Sequence, residues 1–291
     1  MTGYQALHES AAWLDLTGRG LIKLTGEDRA RLLHAMTTNH IQQLQPGQNC
    51  YAFFLNAQGR ILADATVICY EDHFLLDVEP EVREKIYQHL DKYIIADDVT
   101  LEDISESYAA VGVEGPRAES IVGGSPVAVS FTGAPGFRFY VPIPEKAALI
   151  GKLQQAGAVA ATAEEANIVR LEHGKPRYGE DITEKYLVQE TQLMDAVNFN
   201  KGCYLGQEIV ERVRSRAQIH RVLRRIEVDS PDLPAAGSKL KSADGQADAG
   251  EIASAAFSPA LGKVAALAYV RTQFAEPGSE LLLGGVRVLV I

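Results

Sequence analysis

The chain has 291 residues, 46% of them hydrophobic and 23% charged, with a formal net charge of −10. That is the make-up of an ordinary globular protein long enough for two or three cores, and its acidic balance excludes a general polyanion-binding surface. Neither a basic stretch leading into an apolar N-terminal core nor an apolar run near ~18 residues is present, so no secretory signal or membrane span is expected. Cys50, Cys69 and Cys203 lie far apart without a CxxC pair, which argues against a disulfide framework or a structural zinc site and makes the reducing cytoplasm the expected setting.

Residues 25–39 open with helix signals: Thr25 as a cap, acids in the first turn, then Leu32, Leu33 and Met36 on one face. Residues 49–70 read as two strands around the turn Asn56-Ala57-Gln58-Gly59. On the second strand Ile61, Ala63, Ala65, Val67 and Cys69 share one face, while Leu62, Asp64, Thr66, Ile68 and Tyr70 share the other. A third strand is expected at 73–78, then a helix from Pro80 to Ile95 with Val82, Ile86, Leu90 and Tyr93/Ile94 as its buried stripe. Strands at 108–113 and 137–143 and helices at 145–156 and 163–173 complete this region. Strand and helix signals thus alternate without a glycine-rich dinucleotide fingerprint, which favours an α+β architecture over a Rossmann fold.

Past residue 217 the texture changes to short β-prone pieces separated by Pro, Gly, Ser and Asp. Residues 1–217 are therefore expected to form an α+β region, and residues 218–291 a small all-β barrel or sandwich.

The stretch "KGCYLGQE", residues 201–208, sets a thiol between glycines just before a predicted helix. A cysteine taken alone is more often an inert small hydrophobe, and Cys50 and Cys69, embedded in apolar strands, fit that reading. Cys203 does not. Gly202 and Gly206 strip it of side-chain cover, and a thiolate near a helix N-terminus gains about 0.3–1 kcal/mol from the dipole. Lys201 would add to this if its ammonium faced the sulfur. The expectation is a reactive Cys203 tuned by Lys201.

The same motif resembles the signature of the YgfZ-type folate-binding proteins, relatives of the glycine-cleavage T-protein, an aminomethyltransferase. "MTTNHIQQLQPGQNCYAFFLNAQGRILAD" (36–64), "VRLEHGKPRYGEDI" (169–182) and the C-terminal "SP" before "LGKVAALAYV" resemble T-protein segments as well, so the likeness spans nearly the whole chain. It implies a ring of intertwined α+β subdomains and a C-terminal β-barrel around a tetrahydrofolate site. It also implies a cytoplasmic accessory role in iron–sulfur cluster assembly or repair, with cluster-dependent tRNA-modifying enzymes downstream. Expected partners are folate and iron–sulfur proteins or their assembly factors, with no direct nucleic acid and no membrane. The alternative is a folate-dependent aminomethyl transferase.

Carried over residue by residue, the resemblance makes Glu172 the carboxylate that accepts the N–H groups of the pterin. Asn39, Tyr204, Gln207 and Glu208 become further folate contacts, and Asp64 a catalytic acid. T-proteins carry two adjacent acids where this chain has Ala63-Asp64, a departure that counts against transferase activity. The arginines at 212, 214, 216, 221, 224 and 225 read first as a solvated, ion-paired stretch; as an anion site they would take the glutamate tail of a polyglutamylated folate rather than RNA phosphate, because no aromatic residues are interleaved with them.

Overall fold

The computed structural model describes residues 1–216 and 219–291, with the Arg216 side chain outside the description. The expected boundary at 217/218 falls on Ala217 and Gln218, which lie outside the described residues. Among the described residues, three β units are present. A five-stranded sheet runs in the order Asn49–Leu55, Ile61–Cys69, Phe74–Val78, Gly20–Thr25, Thr100–Asp103. A four-stranded sheet runs Gly136–Pro142, Tyr108–Glu114, Ala12–Asp15, Val159–Ala161. The third unit is a closed six-stranded barrel built from residues 221–290.

The two sheets are intertwined, because Ala12–Asp15 sits inside a sheet otherwise made from residues 108–161. The chain leaves that sheet to build the five-stranded one and then returns. Among the described residues, no helix is long and apolar enough to cross a membrane.

The register of the five-stranded sheet decides which side chains reach its polar face. Asn49–Leu55 and Ile61–Cys69 are antiparallel, with Phe53 opposite Asp64 and Tyr51 opposite Thr66; Thr66 in turn faces Asp77 on the next strand. Gly59 takes a φ of 69° in the turn between the first two strands, the left-handed conformation expected of a glycine at that position. Side chains alternate along a strand. Ile61, Ala63, Ala65 and Val67 therefore enter the main apolar core with Phe54 and Val210, and Asp64 lies on the opposite face.

Two expected helices differ. Thr25 ends a strand, and the helix begins only at Arg29 after Asp28, because residues 20–25 pair as an inner strand. The Pro80 helix stops at Asp91, four residues before Ile95, which is left exposed.

Two buried polar joints hold the units together. Asp77 receives Arg19 from its own half, and Arg138 and Tyr140 from the four-stranded sheet, the latter two at 2.5 Å. At the barrel, Arg170 donates to Asp181 at 2.6 Å, and the other oxygen of Asp181 accepts from Ser254 of the barrel. Nearby on the chain, the Glu172 carboxylate accepts from Tyr4 at 2.6 Å and Ser258 at 2.5 Å, and meets the His8 ring at 2.8 Å. Glu172 thus ties the N-terminal helix to the barrel. Glu172→Ala is expected to lower stability to urea unfolding by about 1–3 kcal/mol, because it strands the buried Ser258 hydroxyl and the Tyr4 hydroxyl. An unchanged midpoint would show that the joint contributes nothing.

Candidate functional site

A cavity of about 340 Å³ opens over the polar face of the five-stranded sheet. Tyr51, Asp64 and Thr66 of the sheet, the loop 128–131 and Lys175 line it, together with the charged groups of Arg19, Asp77, Glu79, Arg138 and Arg177. Asp64 is 7% exposed, on an inner strand rather than an edge. The Tyr51 hydroxyl donates to its Oδ2 at 2.5 Å. Tyr51 opposes the residue two positions beyond Asp64, so the contact is a diagonal cross-strand pair.

Burial pushes the Asp64 carboxyl up to about 6; the Tyr51 hydroxyl and Arg19 oppose this, and the nearby Glu79 carboxylate adds to it. Asp77 behaves oppositely. Burial would raise it, yet the Arg19 and Arg138 guanidiniums hold it below the usual carboxylate range. One cavity therefore holds a carboxyl kept ionised and another set to exchange a proton near neutral pH.

The expected site residues separate into groups. Asp64 lines the cavity, and its lost partner position, Ala63, points into the apolar core. An acid at 63 would lie on the strand face opposite Asp64, so the aspartate present in this chain is the one on the cavity face. Glu172 does not line the cavity; its carboxylate is engaged at the barrel joint. Asn39 braces backbone, its amide donating to the carbonyls of Tyr51 and Asp195 at 2.9 Å each.

Lys201 departs from its expected role. Its buried ammonium donates to the carbonyls of His34, Thr37 and Asn39 at 2.5, 2.6 and 2.7 Å, and it lies 5.0 Å from the centre of the Tyr204 ring. Burial pulls it down to about 7, while the three carbonyls favour the charged form. The ammonium therefore caps the end of the 29–36 helix rather than the Cys203 sulfur. Tyr204 is buried in the main core, and Gly206 lets the loop approach the Asn56 carbonyl of the hairpin turn, where a Cβ would stand 2.7 Å from that oxygen.

The helix predicted after the thiol begins at Gln207, and Glu208 forms a solvent-side pair with Arg212 at 2.5 Å. Neither residue lines the cavity. Cys203 is exposed, as expected, but outside the cavity lining; Cys50 is half-buried and Cys69 buried.

The arginine stretch is also otherwise engaged. Arg212, Arg214, Arg221 and Arg225 pair with Glu208, Glu211, Glu190 and Glu227, and Arg224 donates to the Ala275 carbonyl. These local pairs fit the ion-paired reading of the stretch; the Arg216 side chain lies outside the described residues. Residues that sequence reasoning missed are Tyr51, Glu79, Arg138 and Lys175. The alternation of strand 49–55 could have placed Tyr51 beside Asp64, whereas Arg138 and Lys175 reach the cavity through long-range packing.

Residues 2–125 match the GCVT N-terminal domain, and residues 221–285 match the glycine cleavage T-protein C-terminal barrel domain. The structure superposes on the glycine cleavage system aminomethyltransferase T of Bartonella henselae with a TM-score of 0.89, at 20% identity, covering 99% of this chain and 87% of that one. The chain has the T-protein fold. An aminomethyltransferase of Thermoanaerobacter pseudethanolicus is 26% identical, over 96% of this chain and 83% of its own length. One of Streptomyces coelicolor is 28% identical over 94% and 82%. A chloroplastic Arabidopsis thaliana protein, named only provisionally as a transferase, is 26% identical over 93% of this chain and 68% of its own.

The Asp64 environment has a cost that can be measured. Its folded-state pKa lies above the unfolded value of 3.8, so the protonated form is favoured by folding. That contribution is full below about pH 4 and is lost as pH rises through about 6. Asp64→Asn is therefore expected to unfold at higher temperature than the wild type at pH 7.5, by on the order of 1–3 kcal/mol, with the gain vanishing near pH 4. Equal melting at both pH values would mean that the carboxyl is not strained by burial.

Proposed function

We propose that this chain is a folate-dependent one-carbon transferase, with tetrahydrofolate in the cavity and Asp64 as its acid–base group. The observation that carries this reading is the buried Asp64 carboxyl, aimed into the cavity of a T-protein fold and poised near 6. The lining suits a reduced pterin and its tail: carboxylates at Asp64 and Glu79 for ring N–H donors, and a buried Arg138 Nε that lacks a partner among the described residues. Tetrahydrofolate supplies the nitrogen that takes up the one-carbon unit.

The protein's part is positioning and proton handling. Tyr51 fixes Asp64 Oδ2, which leaves the carboxyl's other oxygen to take a proton from, or return it to, the reacting nitrogen. Burial keeps that proton from bulk water. The Asp77 joint holds the two walls at fixed separation, which is what orientation of a bound ligand requires.

Supplied with tetrahydrofolate and an aminomethyl-loaded lipoyl carrier, the wild type is expected to turn over with kcat/KM rising through about pH 6, and Asp64→Asn to lose about 10²–10⁴-fold. Turnover of Asp64→Asn at the wild-type rate would remove Asp64 from the mechanism.

A second reading has its own support: a folate-binding accessory protein for iron–sulfur cluster assembly or repair. Lys201 and Tyr204 are buried anchors, and between them the loop holds Gly202 and Cys203 out in solvent. That arrangement offers one thiol to another protein, away from the cavity. In cells lacking their own protein of this kind, wild type but not Cys203→Ala would restore cluster-enzyme activities under this reading. Full rescue by Cys203→Ala, together with carrier-dependent turnover, would leave the transferase reading alone.

A further inference from the structure

The cavity carries five cationic side chains, and four of them already hold carboxylates. Arg19 pairs with Asp77 and Glu79, Arg138 with Asp77, Arg170 with Glu180 and Asp181, and Arg177 with Glu79 and Glu81. Lys175 is the fifth. Among the described residues its ammonium has no carboxylate within ion-pair distance, and its polar contact is the Ser130 carbonyl.

The carboxylate that acts most strongly on Lys175 is Glu114, and that group is already saturated. It accepts from the Ser130 hydroxyl at 2.9 Å, the Phe131 amide at 2.5 Å, and the Thr132 amide and hydroxyl at 2.8 and 2.5 Å. Those bonds fix the 130–132 turn, so Glu114 places the carbonyl that steadies Lys175 without neutralising the lysine. Arg138 and Arg19 add positive potential at the same spot, and Asp64 acts on it only weakly. Burial draws the Lys175 ammonium below the ordinary lysine range while Glu114 supports its charge. An incompletely paired cation in a partly enclosed polar cavity gains most from an anionic ligand group, because the ligand then supplies the missing counter-charge.

We propose that Lys175 is the anion clamp of this cavity, taking a carboxylate of the ligand's glutamate tail and so selecting a full folate over a bare pterin. The inference rests on the folate reading and deepens it. It moves tail recognition from the exposed arginine stretch, whose described members are paired or bonded elsewhere, to a residue inside the cavity.

The test is anaerobic calorimetry with two probes, monoglutamyl tetrahydrofolate and 6-methyltetrahydropterin, which lacks the tail. The proteins are wild type, Lys175→Met and Lys175→Arg. Lys175→Met should bind tetrahydrofolate about 10- to 100-fold more weakly than wild type while binding the methylpterin equally, and Lys175→Arg should recover most of the loss. Equal tetrahydrofolate affinity in wild type and Lys175→Met overturns the clamp while leaving the folate reading intact. Equal weakening of both probes shows that Lys175 merely supports the 128–131 loop, and overturns it as well. Failure of the wild type to bind tetrahydrofolate removes the folate reading and the clamp together.

Discussion

One buried carboxylate sets the terms for the rest of the site. Asp77 is fully buried and receives two guanidiniums and a phenol, from Arg19 on one side and from Arg138 and Tyr140 on the other. Two cations on one anion would leave excess positive charge, so Arg19 also reaches Glu79, which in turn accepts from Arg177 at 2.9 Å. The chain of charges runs across the seam between the two sheets, and breaking it at Asp77 would leave the buried Arg138 without its carboxylate and Arg19 with Glu79 alone. The same charges act on Asp64: Glu79 raises it and Arg19 lowers it. Domain joint and proton chemistry are therefore one electrostatic system, and the cavity exists where that joint spans the sheet face.

The parts of the fold legible in the sequence were those governed by local pattern. The hairpin turn at Asn56–Gly59, the alternation of 61–69, the helices near 146–155 and 163–172 and the all-β C-terminal region follow from periodicity and turn chemistry. Thr25 looked like a cap because an acidic turn and an apolar stripe follow it, yet pairing of its strand with both Phe74–Val78 and Thr100–Asp103 kept it extended. Tertiary pairing overrode a local signal there. The short strands at 12–15 and 159–161 carry too few residues for an alternation to show.

The site was less legible, for a reason that Glu172 illustrates. A charged residue in a recognised segment has the same letter whether it faces a ligand or a neighbouring lobe. The segment 169–182 holds both kinds: Glu172 and Asp181 fasten lobes to one another, Lys175 and Arg177 line the cavity, and Arg170 does both. Only packing separates them. "KGCYLGQE" divides in the same way. Lys201, Tyr204 and Gly206 are chosen by what they pack against, three carbonyls, a core and a hairpin turn, while Cys203 is left without a packing reason.

Asp64 was the residue whose meaning depended on parity alone. On a strand of period two, an Ala-Asp pair and an Asp-Asp pair present the same group to a given face if the second position is the one that faces it. Asp64 lines the cavity with Tyr51 and Thr66, and Ala63 is buried among Phe54, Val67 and other apolar side chains. An acid at 63 would sit in that apolar environment with no partner in reach, at a cost of several kcal/mol if ionised. Alanine at 63 is the residue the core favours, and aspartate at 64 is the residue that lines the cavity. Having one acid where T-proteins have two is therefore a difference on the core face, and the carboxyl on the cavity face is present.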